Sequence, residues 1–155
     1  MPELTFRPAR REDLPTLIAM LANDQLGAFR EDPQTPLAPA YERAFTVIEA
    51  DPNNELIVAC LDEAVIGMLQ LTFIPYLSYL GSWRAMIESV RVEKNHRSAG
   101  IGKKLMQWAI QRARQRGCRI IQLTTNKSRL DAKRFYESLG FVASHEGMKL
   151  DLSTQ

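Results

Sequence analysis

Residues 96–105 of the 155-residue chain read HRSAGIGKKL. Two glycines stand two positions apart, an arginine precedes them and two lysines follow. Small residues let a ligand approach the backbone closely. Where such a loop opens a helix, its free amide hydrogens point at an anion and the helix dipole favours negative charge. Phosphate or pyrophosphate is the ligand such a loop would hold, with Arg97 and Lys103 adding charge. Further along the same argument stands Glu88, in SWRAMIESVRV. Strand alternation puts Met86, Glu88, Val90 and Val92 on one face. A carboxylate on an otherwise apolar face is desolvated, which raises its pKa toward the range of a general base. The plainer alternatives are a solvated glycine turn for the loop, and for Glu88 a structural ion pair with Arg84 or Arg91.

Two familiar phosphate loops are excluded by spacing. A dinucleotide fingerprint needs G-x-G-x-x-G, and Leu105 stands where its third glycine belongs. A triphosphate loop needs G-x-x-x-x-G-K-[ST], and Arg97 and Lys104 occupy its first and last positions. What remains is R-x-x-G-x-G: Arg97, Gly100 and Gly102.

These residues need elements to hold them. LTFRP reads as a short strand stopped by Pro8, and REDLPTLIAMLAND as an amphipathic helix on Leu14, Leu17, Ile18 and Leu21. A proline-bearing irregular segment, residues 26–40, precedes a second helix from about Ala40 to Glu49. NELIVACL and AVIGMLQLTFI flank a two-residue turn, DE, as a hairpin, and SWRAMIESVRV is the next strand. GIGKKLMQWAIQRARQRG is an amphipathic helix with Ile101, Leu105, Trp108, Ala109 and Ala113 on one face. CRIIQLTT is a buried strand. SRLDAKRFYESL is a helix with Ser128 and Asp131 at capping-box spacing, ended by Gly140. FVAS and MKLDL close the chain as a strand pair. The strand to residue 92, helix from about 100 and strand from 119 form one crossover, which requires a parallel pair.

With R-x-x-G-x-G after a strand, TTNKSRLDAKRFYESLGF after the next, and FRPARREDLP at the start, the chain resembles the GCN5-related N-acetyltransferase (GNAT) family over nearly its whole length. The resemblance implies an α/β fold (α+β): a mostly antiparallel mixed sheet of about seven strands with about four helices. The fourth and fifth strands would be parallel and splayed, in a single domain spanning residues 1–155. Acetyl-CoA would thread the splay as cosubstrate. Val90, Arg91 and Val92 would meet its pantetheine and thioester. The loop Arg97, Ser98, Ala99, Gly100, Ile101, Gly102 and Lys103 would hold its pyrophosphate. Asn126 would bond the pantetheine arm, and Lys133 would reach the outer phosphates. The strand amide near Val90 would stabilise the oxyanion of the tetrahedral intermediate. Glu88 would be the general base, directly or through water, and Tyr136 the general acid. The family often carries a bulge near Glu88, which would break the alternation. Ser98-Ala99 departs from the extra glycine that many members carry.

Transfer to an amine needs the neutral amine, and an alkyl ammonium titrates near pH 10, so a base is required. No cysteine stands in a nucleophile motif, which points to direct attack in a ternary complex. The acceptor site is expected from the first helix, the proline segment and the third and fourth strands. Asn23, Arg30, Glu31, Asp32, Tyr76, Tyr79 and Trp83 are its unranked candidates. His96 flanks the loop, and His145 reads as a surface turn residue.

Net charge is +2, too small to argue for nucleic acid. No stretch approaches eighteen apolar residues, and the start lacks a signal-peptide core, so no membrane partner and a cytoplasmic location are expected. Cys60 and Cys118 show no metal or redox spacing, and no metal is expected. A small-molecule amine is the expected partner. The family resemblance also implies a homodimer, through no interface the sequence names. Three rivals remain: a non-catalytic acyl-CoA sensor, an acetyltransferase directed at protein N-termini or lysines, and an interaction module.

Overall fold

A computed structural model describes residues 2–153. Its centre is a five-stranded sheet: β1 (Leu4–Pro8), β2 (Asn54–Leu61), β3 (Ala64–Pro75), β4 (Trp83–Val92) and β5 (Cys118–Leu123), lying side by side in that order. The first four are antiparallel neighbours, and β4 and β5 are parallel. The helices are α1 (Leu14–Ala22), α2 (Pro39–Ala50), a single turn α3 (Ser78–Gly81), α4 (Ile101–Gln115) and α5 (Leu130–Ser138).

Local chemistry explains these boundaries. The β2–β3 hairpin turns on Asp62 at φ 54°, in the left-handed region that aspartate tolerates. Pro39 opens α2, where its missing N–H costs nothing. Gly100 at φ 80° and Gly117 at φ 76° bracket α4, conformations that would strain any residue with a Cβ. The anticipated cap of α5 does not form. α5 has no side-chain cap; Asn126 instead closes the turn before it, its Oδ1 accepting from the Ser128 amide at 2.9 Å and hydroxyl at 2.7 Å.

The sheet is covered on both faces. On one, Leu69, Leu71, Phe73, Ala85 and Ile87 pack against Leu105, Met106, Ala109 and Ala113 of α4, with Phe135, Tyr136 and Phe141 from the region of α5. On the other, Val58, Cys60 and Met68 pack against Leu14, Leu17 and Met20 of α1 and Phe45 of α2. Phe6 and Trp108 stack at 5.9 Å, tying β1 to α4.

Two expectations need correction. The sheet has five strands among the described residues. FVAS and MKLDL, anticipated as a closing strand pair, run outside it, with Val142, Met148 and Leu150 each at least 80% exposed. Their alternation is strand-like, but no strand is assigned to either stretch. The second concerns the alternation of β4, which gives way to the bulge that the family resemblance implied. Gln70 pairs with Glu88 and Met68 with Arg91, so Ser89 and Val90 together oppose Leu69. This bulge, with Ser89 at φ 58°, reverses the facing of everything after it. Met86 and Glu88 share a face with Thr72 and Gln70, whereas Val90 packs with Ile87 in the α4-side core.

Candidate active site

The parallel pair is short. Pairing of β4 with β5 runs from Trp83–Cys118 to Ile87–Leu123 and stops. Beyond Ile87, β4 carries on through its bulge to Val92, while the chain after Leu123 leaves the sheet. Backbone groups that would bond across a continued pair are thereby available to a ligand, since buried N–H and C=O groups require partners. The Val90 carbonyl already accepts from Arg91 Nη1 at 2.9 Å.

At the far end of this opening lies the glycine loop. Val92, Arg97, Ser98, Gly100, Gly102, Lys103 and Phe135 line a cleft of about 350 Å³. The first bond of α4 is from Lys104 N–H to Gly100 C=O at 3.2 Å, so the amides before Lys104 are the unsatisfied donors of a helix N-terminus. A Cβ on Gly102 would point at Phe135 Cζ at 3.5 Å and Val92 Cγ2 at 3.8 Å, across the cleft itself. Small residues, free amides and Lys103 converge here, a donor set that fits a pyrophosphate. Arg97 is exposed and folds back, its Nε donating to Val92 C=O at 3.1 Å and Nη2 to Asn23 C=O at 3.5 Å. His96 beside the loop pairs with Glu93 at 2.8 Å. Asn126 holds its turn through Oδ1, leaving its amide hydrogens to face outward. Lys133 is exposed on α5, two residues before Phe135. Ile101 is buried beneath the loop and Ala99 exposed on it.

Glu88 and Tyr136 come from opposite faces of the sheet. Glu88 is exposed, beside Gln70 on a strip that also carries Thr72 and Asn54, bonded to one another through Asn54 Oδ1. The anticipated apolar surround is therefore replaced by a polar one, because the bulge moves Val90 and Val92 to the other side. Neither alternative partner holds Glu88: Arg84 Nη1 bonds Gln122 Oε1 at 3.1 Å, and Arg91 pairs with Asp24. Tyr136 is half-buried, its ring 5.3 Å from Phe135 and 6.1 Å from Phe141. Burial pushes its phenol above the ordinary tyrosine value, against the opposing pull of Arg91 and Arg129. A phenol so held stays protonated as a donor.

Sequence reasoning missed the ion triad beside Tyr136. Asp24 Oδ2 lies 3.1 Å from Arg91 Nη2 and 3.0 Å from Arg129 Nη2. Its carboxylate therefore links the end of α1 to β4 and to the start of α5. Burial pushes Asp24 up, but the Gly27 amide, Arg129 and Arg91 outweigh it and hold it below the usual range. Burial lowers the Arg91 guanidinium, Asp24 opposing and Arg129 and Arg30 adding repulsion. Two guanidiniums against one carboxylate, with Arg30 within electrostatic reach of Arg91, leave net positive charge next to the phenol. One signal was available: a carboxylate just past a helix C-terminus opposes the dipole unless a cation holds it.

The acceptor-side candidates do not all converge. Asn23 meets Arg97, and Arg30 lies within electrostatic reach of Arg91. Glu31 accepts from the Tyr41 hydroxyl at 3.0 Å, and that oxygen accepts from the Asp32 amide at 2.9 Å, pinning the irregular segment to α2. Tyr76 and Tyr79 embrace Arg84, at 4.4 and 5.0 Å. Trp83 packs in the core on the α4 side, away from the others. Cys118 is half-buried with its thiol pushed up by burial, consistent with a packing residue. Among the described residues no group of three or more His, Cys, Asp or Glu is placed to hold a metal ion, and no helix is long and apolar enough to cross a membrane.

Comparison with known proteins places this geometry. The model of the acetyltransferase (GNAT) family matches residues 18–141. The chain is 32% identical over 145 residues, 94% of its length and 89% of the relative's, to the aminoalkylphosphonate N-acetyltransferase of Salmonella typhimurium. It is 34% identical over 88 residues, 57% of its length and 58% of the relative's, to the glucosamine 6-phosphate N-acetyltransferase of Trypanosoma brucei brucei. A solved structure described as a transcriptional regulator from Bacillus halodurans C-125 superimposes with a TM-score of 0.94 at 56% identity, covering 97% of this chain and all of that one.

Proposed function

Since the chain belongs to the GNAT acetyltransferase family, whose members use acetyl-CoA, we propose that its 155 residues act as a single N-acetyltransferase domain. The acceptor in this reading is a small primary amine, and attack is direct, within a ternary complex. The observation that carries the proposal is the gap beyond Ile87 and Leu123, closed at one end by the glycine loop of α4. The donor supplies an acetyl thioester. The loop amides from Ser98 to Lys103 hold its pyrophosphate, with Arg97 swinging from Val92 to add charge. Asn126 bonds the arm through its free amide hydrogens, Val90, Arg91 and Val92 bound it along β4, and Lys133 meets the outer phosphates.

Glu88 takes the ammonium proton of the acceptor through a water, as suits an exposed carboxylate on a polar strip. The amine nitrogen then bonds the acetyl carbon, and the Val90 amide donates to the oxygen that gains charge. The carbon–sulfur bond breaks as the sulfur takes the Tyr136 proton, and the second proton of the attacking nitrogen leaves through solvent to restore the phenol, giving the neutral amide and free thiol. A cytoplasmic protein that works as a homodimer completes this reading.

The acceptor also carries an oxyanion. Arg91 and Arg129 against Asp24 leave excess positive charge beside Tyr136, with Arg30 in electrostatic reach of Arg91, suited to a phosphonate or phosphate. Both named relatives act on acceptors of that kind. The test is an acetyl-CoA titration followed by thiol release on matched amines: 2-aminoethylphosphonate against ethylamine, glucosamine 6-phosphate against glucosamine. Release with the charged member of each pair is expected. Equal use of both members sinks the oxyanion, and binding without release on any amine sinks the small-molecule enzyme. That last result would favour the second reading, a regulator that senses acyl-CoA, which the description of the Bacillus halodurans structure raises.

A further inference from the structure

β4 carries a cation on either side of Glu88. Arg91, which meets Asp24 at the end of α1, follows it, and Arg84 precedes it on the same face. Between Glu88 and Arg84 stands Met86, paired with Thr72 of β3 and Gln122 of β5, so the polar strip runs on as far as Arg84. Arg84 lies between the rings of Tyr76 and Tyr79, and Arg119 shares the Tyr79 ring at 5.3 Å. Among the described residues neither Arg84 nor Arg119 joins an ion pair. Arg84 Nη1 donates to Gln122 Oε1 at 3.1 Å, while its Nε and the hydroxyl of Ser82 are buried without a partner. Two residues apart in extended chain, they belong to one side of the strand. Buried donors of this kind cost stability unless something meets them. The turn that carries the tyrosines is itself strained. Tyr79, Leu80 and Gly81 stand at φ 54°, 62° and 69°, and left-handed residues with a Cβ are unfavourable. Leu77 and Leu80 are 98% and 99% exposed, so leucine packing does not repay that strain. What the turn secures is Tyr79 over two guanidiniums.

We propose that Ser82 and Arg84, walled by Tyr76 and Tyr79, form a second acceptor subsite, one that takes a carboxylate at the far end of the amine. A guanidinium held between two rings presents its in-plane edge, which suits a planar carboxylate better than a tetrahedral phosphonate. Arg84 Nε and the Ser82 hydroxyl donate to the carboxylate, and Arg119 adds charge. The two rings screen this edge, so the tail enters as the turn lifts, which also relaxes Tyr79 and Leu80. Glu88 and Arg84 are separated by about 13 Å of strand, so a compact aminoalkylphosphonate does not span both. The subsite therefore adds a second acceptor class, the long ω-amino carboxylates, to the compact amines drawn toward Arg91 and Arg129. It rests on the acetyltransferase reading above for the amine, and not on the oxyanion pocket beside Tyr136.

The experiment measures thiol release from acetyl-CoA with 8-aminooctanoate, octylamine, 4-aminobutyrate and 2-aminoethylphosphonate. It also titrates 8-aminooctanoate calorimetrically into the protein loaded with coenzyme A. The wild type should bind 8-aminooctanoate and use it at least about tenfold better than octylamine, which lacks the carboxylate, and than 4-aminobutyrate, which is too short. Loss of a charge-assisted bond corresponds to about 10–150-fold. Arg84→Gln should lower the kcat/KM ratio of 8-aminooctanoate over octylamine by that factor, through KM. Ser82→Ala repeats the test should Arg84→Gln fail to fold, with a fall of about 2–10-fold. Equal use of 8-aminooctanoate and octylamine by the wild type overturns the subsite, as does a preference that both substitutions leave intact. Absence of calorimetric binding overturns it whatever the turnover. Binding that Arg84→Gln weakens, with no thiol released from any amine, upholds the subsite and sinks the acetyltransferase reading instead.

Discussion

Replacing Gly102 by alanine should separate folding from cofactor binding. The new Cβ would lie 3.5 Å from Phe135 Cζ and 3.8 Å from Val92 Cγ2, ordinary van der Waals separations that demand no movement. Gly102 also sits within α4, at a negative φ, so the substitution is unstrained. Alanine in a helix is favoured over glycine by about 0.5–1 kcal/mol. For a chain of this size, about 1 kcal/mol moves Tm by about 2–4 °C, so Gly102→Ala should melt slightly higher than the wild type. Binding should move the other way. The methyl enters the cleft at the first turn of α4 and holds a pyrophosphate off the amides. Loss of one charge-assisted bond costs about 1.5–3 kcal/mol, which is about 10–150-fold in Kd. Gly100→Ala is the control with the opposite cause. Its Cβ meets nothing within 4 Å, but at φ 80° the backbone is left-handed, which costs about 1–2 kcal/mol and lowers Tm. Calorimetric titration with coenzyme A and a thermal melt read both quantities. A Gly102→Ala protein that is more stable and binds coenzyme A as tightly as the wild type would refute the loop as a phosphate cradle.

Four further outcomes are expected. Glu88→Gln should cut kcat about 10²-fold or more while leaving the acetyl-CoA Kd unchanged, and normal turnover across the pH range would remove Glu88 from the mechanism. Tyr136→Phe keeps the ring against Phe135 and Phe141, so it should slow turnover without lowering Tm. Because burial holds the wild-type phenol above its ordinary value, any alkaline limb from Tyr136 should lie above pH of about 10. Arg129→Gln should narrow the preference for oxyanion-bearing amines over neutral ones, and an unchanged ratio of kcat/KM values would count against the cationic pocket. Asp13 is buried and accepts from Arg7 Nη1 at 2.7 Å and from the Arg10 amide at 2.7 Å. Hydrogen bonding to Arg7 above all holds its carboxyl below the ordinary value. Its contribution is complete above the unfolded pKa of about 3.9 and is lost as pH falls through the lower folded value. Asp13→Asn should therefore cost about 3 kcal/mol at neutral pH, with the deficit closing in acid, as denaturant melts at several pH values would show.

The parts of the fold that the sequence reveals are those whose signal is local. The two-residue turn between β2 and β3, the start of α4 at Gly100 and the crossover from β4 to β5 all follow from periodicity and from glycine and turn chemistry. The loop's free amides follow from the same reasoning. What is hidden depends on partners far along the chain. The bulge at Ser89–Val90 exists only relative to Leu69 of β3, so alternation alone misplaced Val90 and gave Glu88 an apolar surround that it lacks. Asp24, Arg91 and Arg129 meet across more than a hundred residues. Trp83, chosen for its ring, faces the core. The tail has a strand's alternation but is assigned no strand, and no pattern in a single sequence distinguishes those cases.

That extra residue in β4 has a consequence for how such a protein diversifies. Before the bulge, Arg84, Met86 and Glu88 face the α1 side; after it, Val90 and Val92 face the α4 side with the loop. A mutation at the earlier positions reshapes what sits over the polar strip of Gln70, Thr72 and Asn54 and leaves the donor-side wall as it was. Inheritance can thus vary the acceptor preference of this scaffold while retaining its grip on one shared donor. A single-residue deletion at Ser89 would reverse the facing and damage both at once. Substitutions at Arg84 and Met86 should therefore be tolerated more readily than changes in the length of the strand.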